Sequence, residues 1–189
     1  RYCIFETNSN FLATHGRIIQ GPEVADHALA LLLGLTRNLN ITIKHGPNKK
    51  FLKRPIELRK KKILIVGYGG VGQCIAERAF GFGMKIYVVN DNYTPISNLV
   101  EHFYLQRDYI KALKDKDIVV YALPLTSQTK KMYNPKTAKY FKKGAILINV
   151  CRAGVVCQKT LYKNLKNNSL GGAGVDVLEQ KDTLFQNSK

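Results

Sequence analysis

Six consecutive residues carry the clearest chemistry in the chain: Gly67-Tyr68-Gly69-Gly70-Val71-Gly72, a G-x-G-x-x-G loop. Alone, a glycine-rich hexamer says little. Here it follows a β-type run (63–66, ILIV) and opens a helical stretch (71–82), the context in which such a loop holds a dinucleotide. Gly67 permits the tight turn, Gly69 lets the backbone approach a pyrophosphate, and Gly72 allows close packing of helix on strand. The diphosphate would then lie on a helix N-terminus, where unpaired N–H groups and the helix dipole favour an anion. About 20 residues on, such a fold presents an acid to the adenosine ribose. The next apolar run ends in Asn90-Asp91-Asn92. Asp91 is the candidate, with Asn90 the alternative strand-end position. No arginine follows closely to receive a 2′-phosphate, so NAD is expected rather than NADP.

Positioning these residues requires a sheet. Apolar runs at 63–66, 85–89, 118–122, 145–149 and 172–177 alternate with helical patterns at 71–82, 109–113, 135–141 and 158–165. Continuous apolar strands separated by helices predict a parallel sheet covered on both faces. The fold class is therefore α/β, a Rossmann-type doubly wound parallel sheet. Ahead of it, 23–39 reads as one long apolar helix with Pro22 at a first-turn position. Residues 41–59 lack periodicity and read as an extended arm. The tail after Gln180 is polar.

Composition bounds the alternatives. The 189 residues hold 30 Lys+Arg against 13 Asp+Glu, a net charge of +17. Such a balance suits a polyanion partner, and residues 49–62 form the densest basic stretch. Most of the excess, however, is scattered in short pairs, and no stacking motif or recognition helix accompanies it, so nucleic-acid binding is disfavoured. The longest apolar run, 28–35, is too short to span a bilayer. No charged-then-apolar leader opens the sequence, and Arg1 in place of Met predicts a trimmed or partial chain. Cys3, Cys74, Cys151 and Cys157 lack C-x-x-C spacing, and no histidine pair has the i, i+4 spacing of a zinc site. Free thiols in a reducing compartment, the cytoplasm, are expected.

Several further segments share an order with a known family. They are Val24-Ala25-Asp26-His27-Ala28-Leu29-Ala30-Leu31-Leu32, the glycine loop, Phe82-Gly83-Met84-Lys85, Leu123-Pro124-Leu125-Thr126 with Thr129, 144–149, Arg152-Ala153-Gly154 and Gly172-Ala173-Gly174-Val175-Asp176-Val177. Together they resemble the NAD-binding domain of the D-isomer-specific 2-hydroxyacid dehydrogenases over about residues 22–180. The resemblance implies hydride transfer between NAD(H) and a 2-hydroxy or 2-keto acid, and a homodimer joined through the long helix and the arm. Residues 1–21 would then be a remnant of a substrate domain, and 181–189 a polar tail. Gly70 and Val71 match positions whose backbone meets the pyrophosphate. Leu123, Pro124 and Thr129 match a loop beside the cofactor. Val150, Cys151 and Arg152 match a segment under the nicotinamide, and Asp176 matches the acid near its carboxamide. Arg152 also matches the catalytic arginine, whose guanidinium is suited to forking a substrate carboxylate and polarising a keto oxygen. Cys151 has no histidine base nearby in sequence and is not expected to be a nucleophile.

The departures are specific. The family's catalytic glutamate lies a few residues past the aspartate matched by Asp176. Counting along Leu178-Glu179-Gln180-Lys181 puts Lys181 at that position and Glu179 at the earlier, non-catalytic acid. No histidine follows to serve as general acid–base, so impaired catalysis by this chain is expected. A non-catalytic, NAD-sensing module of corepressor type is the alternative.

Overall fold

Residues rich in Ile, Val and Leu with few interruptions build a six-stranded sheet in the computed structural model, which describes residues 20–46, 54–92 and 98–179. The strands are β1 (Lys62–Val66), β2 (Lys85–Asn90), β3 (Val100–Leu105), β4 (Ile118–Tyr121), β5 (Ala145–Asn149) and β6 (Leu170–Val175). All neighbours are parallel, in the order β3-β2-β1-β4-β5-β6. Ile63 of the central strand stands beside Ile86 on one side and Ile118 on the other. The order reverses between β1 and β4, and that switch is where a doubly wound sheet binds ligands.

Alternation along each strand sends side chains to two cores. Ile63 and Ile65 with Ile86, Val88, Ile118, Val120, Ile146 and Ile148 meet the apolar faces of α1 (Gly21–Thr36) and α3 (Gly70–Gly81). Leu64, Val66, Val89, Val119, Tyr121 and Leu147 point the other way. They are covered by α4 (Tyr109–Leu113), by Tyr133, and by Leu161 of α6 (Gln158–Lys166). Between them, α5 (Pro135–Ala138) is set by Asn134, whose Oδ1 accepts from the backbone N–H of Lys136 and Thr137 while Thr137 Oγ1 answers Asn134 N–H. This reciprocal cap satisfies the helix's unpaired donors.

The sequence expectations needed four corrections. The long helix stops at Thr36, not residue 39. Asn38 takes a left-handed φ of 60°, which breaks the helix and starts the short α2 (Leu39–His45) inside the stretch expected to be an extended arm. The strand β3 falls in what read as loop, because only Phe103 of its six residues is buried and its edge position imposes no apolar alternation. The helix at 135–141 is only α5, one turn long. The last strand starts at Leu170 and stops before Asp176. Residues 1–19, 47–53, 93–97 and 180–189 lie outside the described residues. The expected substrate-domain remnant, Lys181 and the polar tail therefore fall outside them, in whole or nearly so.

One polar tie joins the amino ends of the central strands. Asp117 Oδ2 accepts from the backbone N–H of Lys62, and Oδ1 pairs with Lys142 Nζ at 2.7 Å. Partial burial pushes the Asp117 carboxyl up, but the hydrogen bonds to Lys142 and Lys62 outweigh it and hold the group below its ordinary value of 3.8. A depressed carboxylate stabilises the fold above its unfolded pKa, and that contribution is lost as pH falls through the folded value. We expect Asp117→Asn to be less stable than the parent at neutral pH, with the gap narrowing below about pH 4 as the parent's carboxylate protonates. Urea unfolding across that range measures it; a gap independent of pH would remove Asp117 as the cause.

Candidate cofactor-binding site

The cleft opens at the carboxyl ends of β1, β2 and β4. Its walls include Val66, Gly67, Gly69, Val89, Asn90 and Asp91 on one side, and Leu123, Pro124 and Thr129 on the other, around a volume of about 400 Å3. That is within the range of small-molecule sites. The backbone is what brings these residues together. Gly67 N–H donates to Val89 O at 2.8 Å, and Ala122 N–H to Val66 O at 2.8 Å.

Two glycines are sterically required. Gly67 has a φ of +98°, and a Cβ there would sit 2.5 Å from Ala122 O. A Cβ on Gly72 would sit 2.1 Å from Gly67 O. The first turn of α3 therefore lies directly on the loop preceding it. No side chain caps α3, so its leading N–H groups face outward without intrahelical partners. A cradle of this form fits an anionic diphosphate. Gly70, Val71 and Gly72 form that first turn, behind the residues that line the cleft, while Gly69 lines the cleft itself.

At the end of β2, Asn90 Oδ1 accepts from Tyr68 N–H at 3.3 Å, and its Nδ2 donates to Asn92 O at 3.2 Å. Asn90 thus fastens the glycine loop to the neighbouring strand. Asp91 is exposed on the cleft wall. The two residues that the sequence left as alternatives divide the work: Asn90 braces, and Asp91 presents a carboxylate.

The facing loop is held by its own hydroxyls. Thr129 is 5% exposed. Its Oγ1 donates to Pro124 O at 2.7 Å and accepts from Thr126 N–H at 2.8 Å. Leu123 and Pro124 are positioned by this closure. Sequence reasoning missed Gln106, Ser127 and Gln128, which also line the cleft. Gln106 follows β3, and an unrecognised strand hides the residue at its carboxyl end. Ser127 and Gln128 sit between motif residues that were recognised.

The other expected residues cluster past β5 and β6, outside the described wall of this cleft. Val150 and Cys151 are buried. Cys151 Sγ donates to Asn149 Oδ1 at 3.0 Å, and Asn149 Nδ2 donates to Arg152 O at 3.2 Å. Asn149 therefore fixes the backbone on which Arg152 stands. Arg152 is exposed, with Nη1 donating to Cys151 O at 3.0 Å. Asp176 N–H donates to Asn149 O, and its carboxylate lies 3.3 Å from His27 Nε2. His27, on α1, was part of a matched motif but carried no expected role; the structure places it against Asp176.

The profile of the D-isomer specific 2-hydroxyacid dehydrogenase NAD-binding domain matches residues 29–188. The chain belongs to this family, and its fold is the family's NAD-binding domain. It is 38% identical over 168 residues to a glyoxylate reductase of Pyrococcus furiosus, covering 83% of this chain and 49% of that protein. To a hydroxypyruvate reductase of Thermotoga maritima it is 30% identical over 161 residues, covering 84% and 51%. The crystal structure of a glyoxylate reductase from Paecilomyes thermophila superposes with a TM-score of 0.79 at 25% identity, covering 90% of this chain and 53% of that one. The chain spans about half the length of the relatives it matches. Among the described residues, no helix is long and apolar enough to cross a membrane.

Two measurements test the site. Gly72→Ala must push α3 away from the Gly67 carbonyl. We expect NADH affinity to fall at least about tenfold, roughly 1.4 kcal/mol, as read by nucleotide fluorescence on protein shown to be folded by circular dichroism. Unchanged affinity would mean that the cradle is not the binding surface. The thiols give a second check. Burial pushes the Cys151 thiol up. Burial also acts to raise Cys157, but hydrogen bonds from Thr160 and the charge of Lys131 outweigh it and leave that thiol below its usual value of 9.0. A lowered pKa supplies thiolate at lower pH, so Cys157 should alkylate with iodoacetamide well before Cys151 between about pH 7 and 8. Peptide mass spectrometry reads the order, and earlier labelling of Cys151 would contradict it.

Proposed function

We propose that this chain is the cofactor half of an oxidoreductase that transfers hydride between NAD(H) and a 2-hydroxy or 2-keto acid. The observation carrying this reading is the glycine cradle, where Gly72 rests on the Gly67 carbonyl at a distance that only a missing Cβ permits. NAD, when bound, supplies or accepts the hydride. The chain's own residues do the rest. Gly70, Val71 and Gly72 bind the diphosphate through their N–H groups, and Asp91 accepts from the ribose hydroxyls. Leu123 and Pro124 cover the opposite face of the cleft. Val150 and Cys151 form the apolar bed for the nicotinamide, and the Asp176 carboxylate accepts from its amide. Arg152 forks the substrate carboxylate and steadies negative charge on the keto oxygen.

The relatives named for glyoxylate and hydroxypyruvate reduction point to small 2-keto acids as substrates. A homodimer is part of the same reading. It is supported by α2, which buries none of its residues and leaves Ile43 86% exposed and Leu39 half-exposed. Free thiols at Cys74, Cys151 and Cys157 suit a reducing, cytoplasmic setting.

The experiment is a two-stage titration of this chain. NADH should bind saturably with a strong preference over NADPH, and Asp91→Ala should weaken that preference. Glyoxylate and hydroxypyruvate are then added while NADH absorbance is followed. Because Lys181 stands where a carboxylate would polarise a histidine, turnover should be at least about 10² below ordinary enzyme rates, the scale of general acid–base catalysis. Absence of NADH binding would overturn the whole reading. Turnover at ordinary rates would overturn the assigned catalytic deficit, and binding without turnover of any 2-keto acid would favour a sensing module.

A further inference from the structure

A second concave site lies at the opposite end of the sheet from the cofactor cleft. It is formed between α5 and α6, over the residues leading into β5 and β6, and has a volume of about 580 Å3. Its rim carries Lys139, Lys143, Lys159 and Lys163, and no acidic residue lines it. Phe141 and Leu170 supply part of its floor. The distance from the glycine cradle follows from the topology: one site sits where parallel strands end, the other where they begin.

The arrangement of charge is what distinguishes this groove from the scattered lysines elsewhere. Lys159 and Lys163 are four residues apart on α6, hence on one face, where like charges repel and cost helix stability. Among the described residues, none of the four rim lysines forms an ion pair. Lys139 meets only the ring of Tyr140, with Nζ 5.2 Å from its centroid. The nearby Asp117 does not relieve them, because its carboxylate is committed to Lys142 and the Lys62 N–H. Four cations converging on one concavity without a counter-charge among the described residues call for an anion from outside.

The chemistry selects the kind of anion. Lysines are compact point charges with rotatable donors, suited to phosphate oxygens, whereas planar carboxylate recognition favours the arginine fork. The volume accommodates a ligand of nucleotide size. The edge of Phe141, held at right angles to Tyr133 with centroids 5.1 Å apart, offers an apolar surface beside the charges. A polymer backbone would instead be served by an open track with aromatic stacking platforms. We propose that the groove between α5 and α6 is a binding site for a small, multiply charged phosphate compound, separate from the NAD site. The shared chemistry is a chain of two or more phosphates, whether free or attached to a nucleoside.

The test uses the whole chain with saturating NADH, so that the cofactor cleft is filled, and isothermal titration with tripolyphosphate and with ATP. One saturable site per chain is expected for at least one of the two. If both bind, the phosphate chain alone suffices; if only ATP binds, the nucleoside contributes through Phe141. The double variant Lys159→Glu and Lys163→Glu should weaken binding at least tenfold while leaving NADH affinity unchanged. Lys44→Glu with Lys111→Glu applies the same charge change at exposed lysines of α2 and α4 and should leave binding within about twofold. Equal losses in both double variants would reduce the effect to net charge and overturn the proposal, as would non-saturating binding. Tighter, groove-dependent binding of a 20-base-pair DNA duplex than of either phosphate compound would overturn it in favour of a nucleic-acid surface. Because NADH binding is read independently, failure of the groove and failure of the cofactor assignment are distinguishable.

Discussion

The contact on which the rest of the site depends is the seating of the first turn of α3 on the carbonyl of Gly67. A methyl group at Gly72 would lie 2.1 Å from that oxygen, so helix and loop share a space that any side chain would claim. This closeness sets the first turn of α3, with its unpaired N–H groups, beside the loop that lines the cleft. It also fixes where β1 must hand over to α3. The burial of Ile63 and Ile65 against Ile75 and Ala76 then follows from the same geometry. Asn90 reinforces the arrangement from β2 by holding Tyr68 N–H. Chemistry and packing are thus set by one steric relation, which is why the motif can be read for both.

The expected site residues fall in two groups along the sheet. The ends of β1, β2 and β4 make the cleft, while the ends of β5 and β6 carry Arg152 and Asp176. Asn149 ties this second group together: it accepts from Cys151, donates to Arg152 O, and offers its own backbone oxygen to Asp176 N–H. A buried amide that orders its neighbours is a stiffer support than a loop held by water. The buried Cys151 thiol belongs to the same support, with its Sγ donating to Asn149 Oδ1.

Much of this was legible in the sequence, for identifiable reasons. The strands β1, β4 and β5 are buried along nearly their whole length, so their apolar runs are continuous, and the glycine loop has both the right neighbours and the right spacing. What escaped detection lacked those signals. β3 is an edge strand with Glu101 and His102 exposed and only Phe103 buried, so its pattern resembles a loop. Gln106 was lost with it. The break at Asn38 falls one residue before the expected end of the first helix, and α2 beyond it buries none of its residues, so no apolar stripe marks a second helix. Nor could spacing reveal that His27, some 150 residues before Asp176 in the chain, would meet it, or that lysines from α6, from the end of α5 and from the turn before β5 would converge on one groove.

The first helix has a mechanical consequence. At its start, Gly21 lies against Gly70 O and Cys74 Sγ, at the cradle. Nearly two turns further on, His27 reaches Asp176. Leu31 and Leu35 then press onto Gly174 and Gly172, where the absence of side chains lets the helix ride directly on the strand. α1 is therefore a strut braced at both halves of the site. A displacement along it would be felt at the glycine loop and at Asp176 alike, as in a lever rather than in two independent jaws.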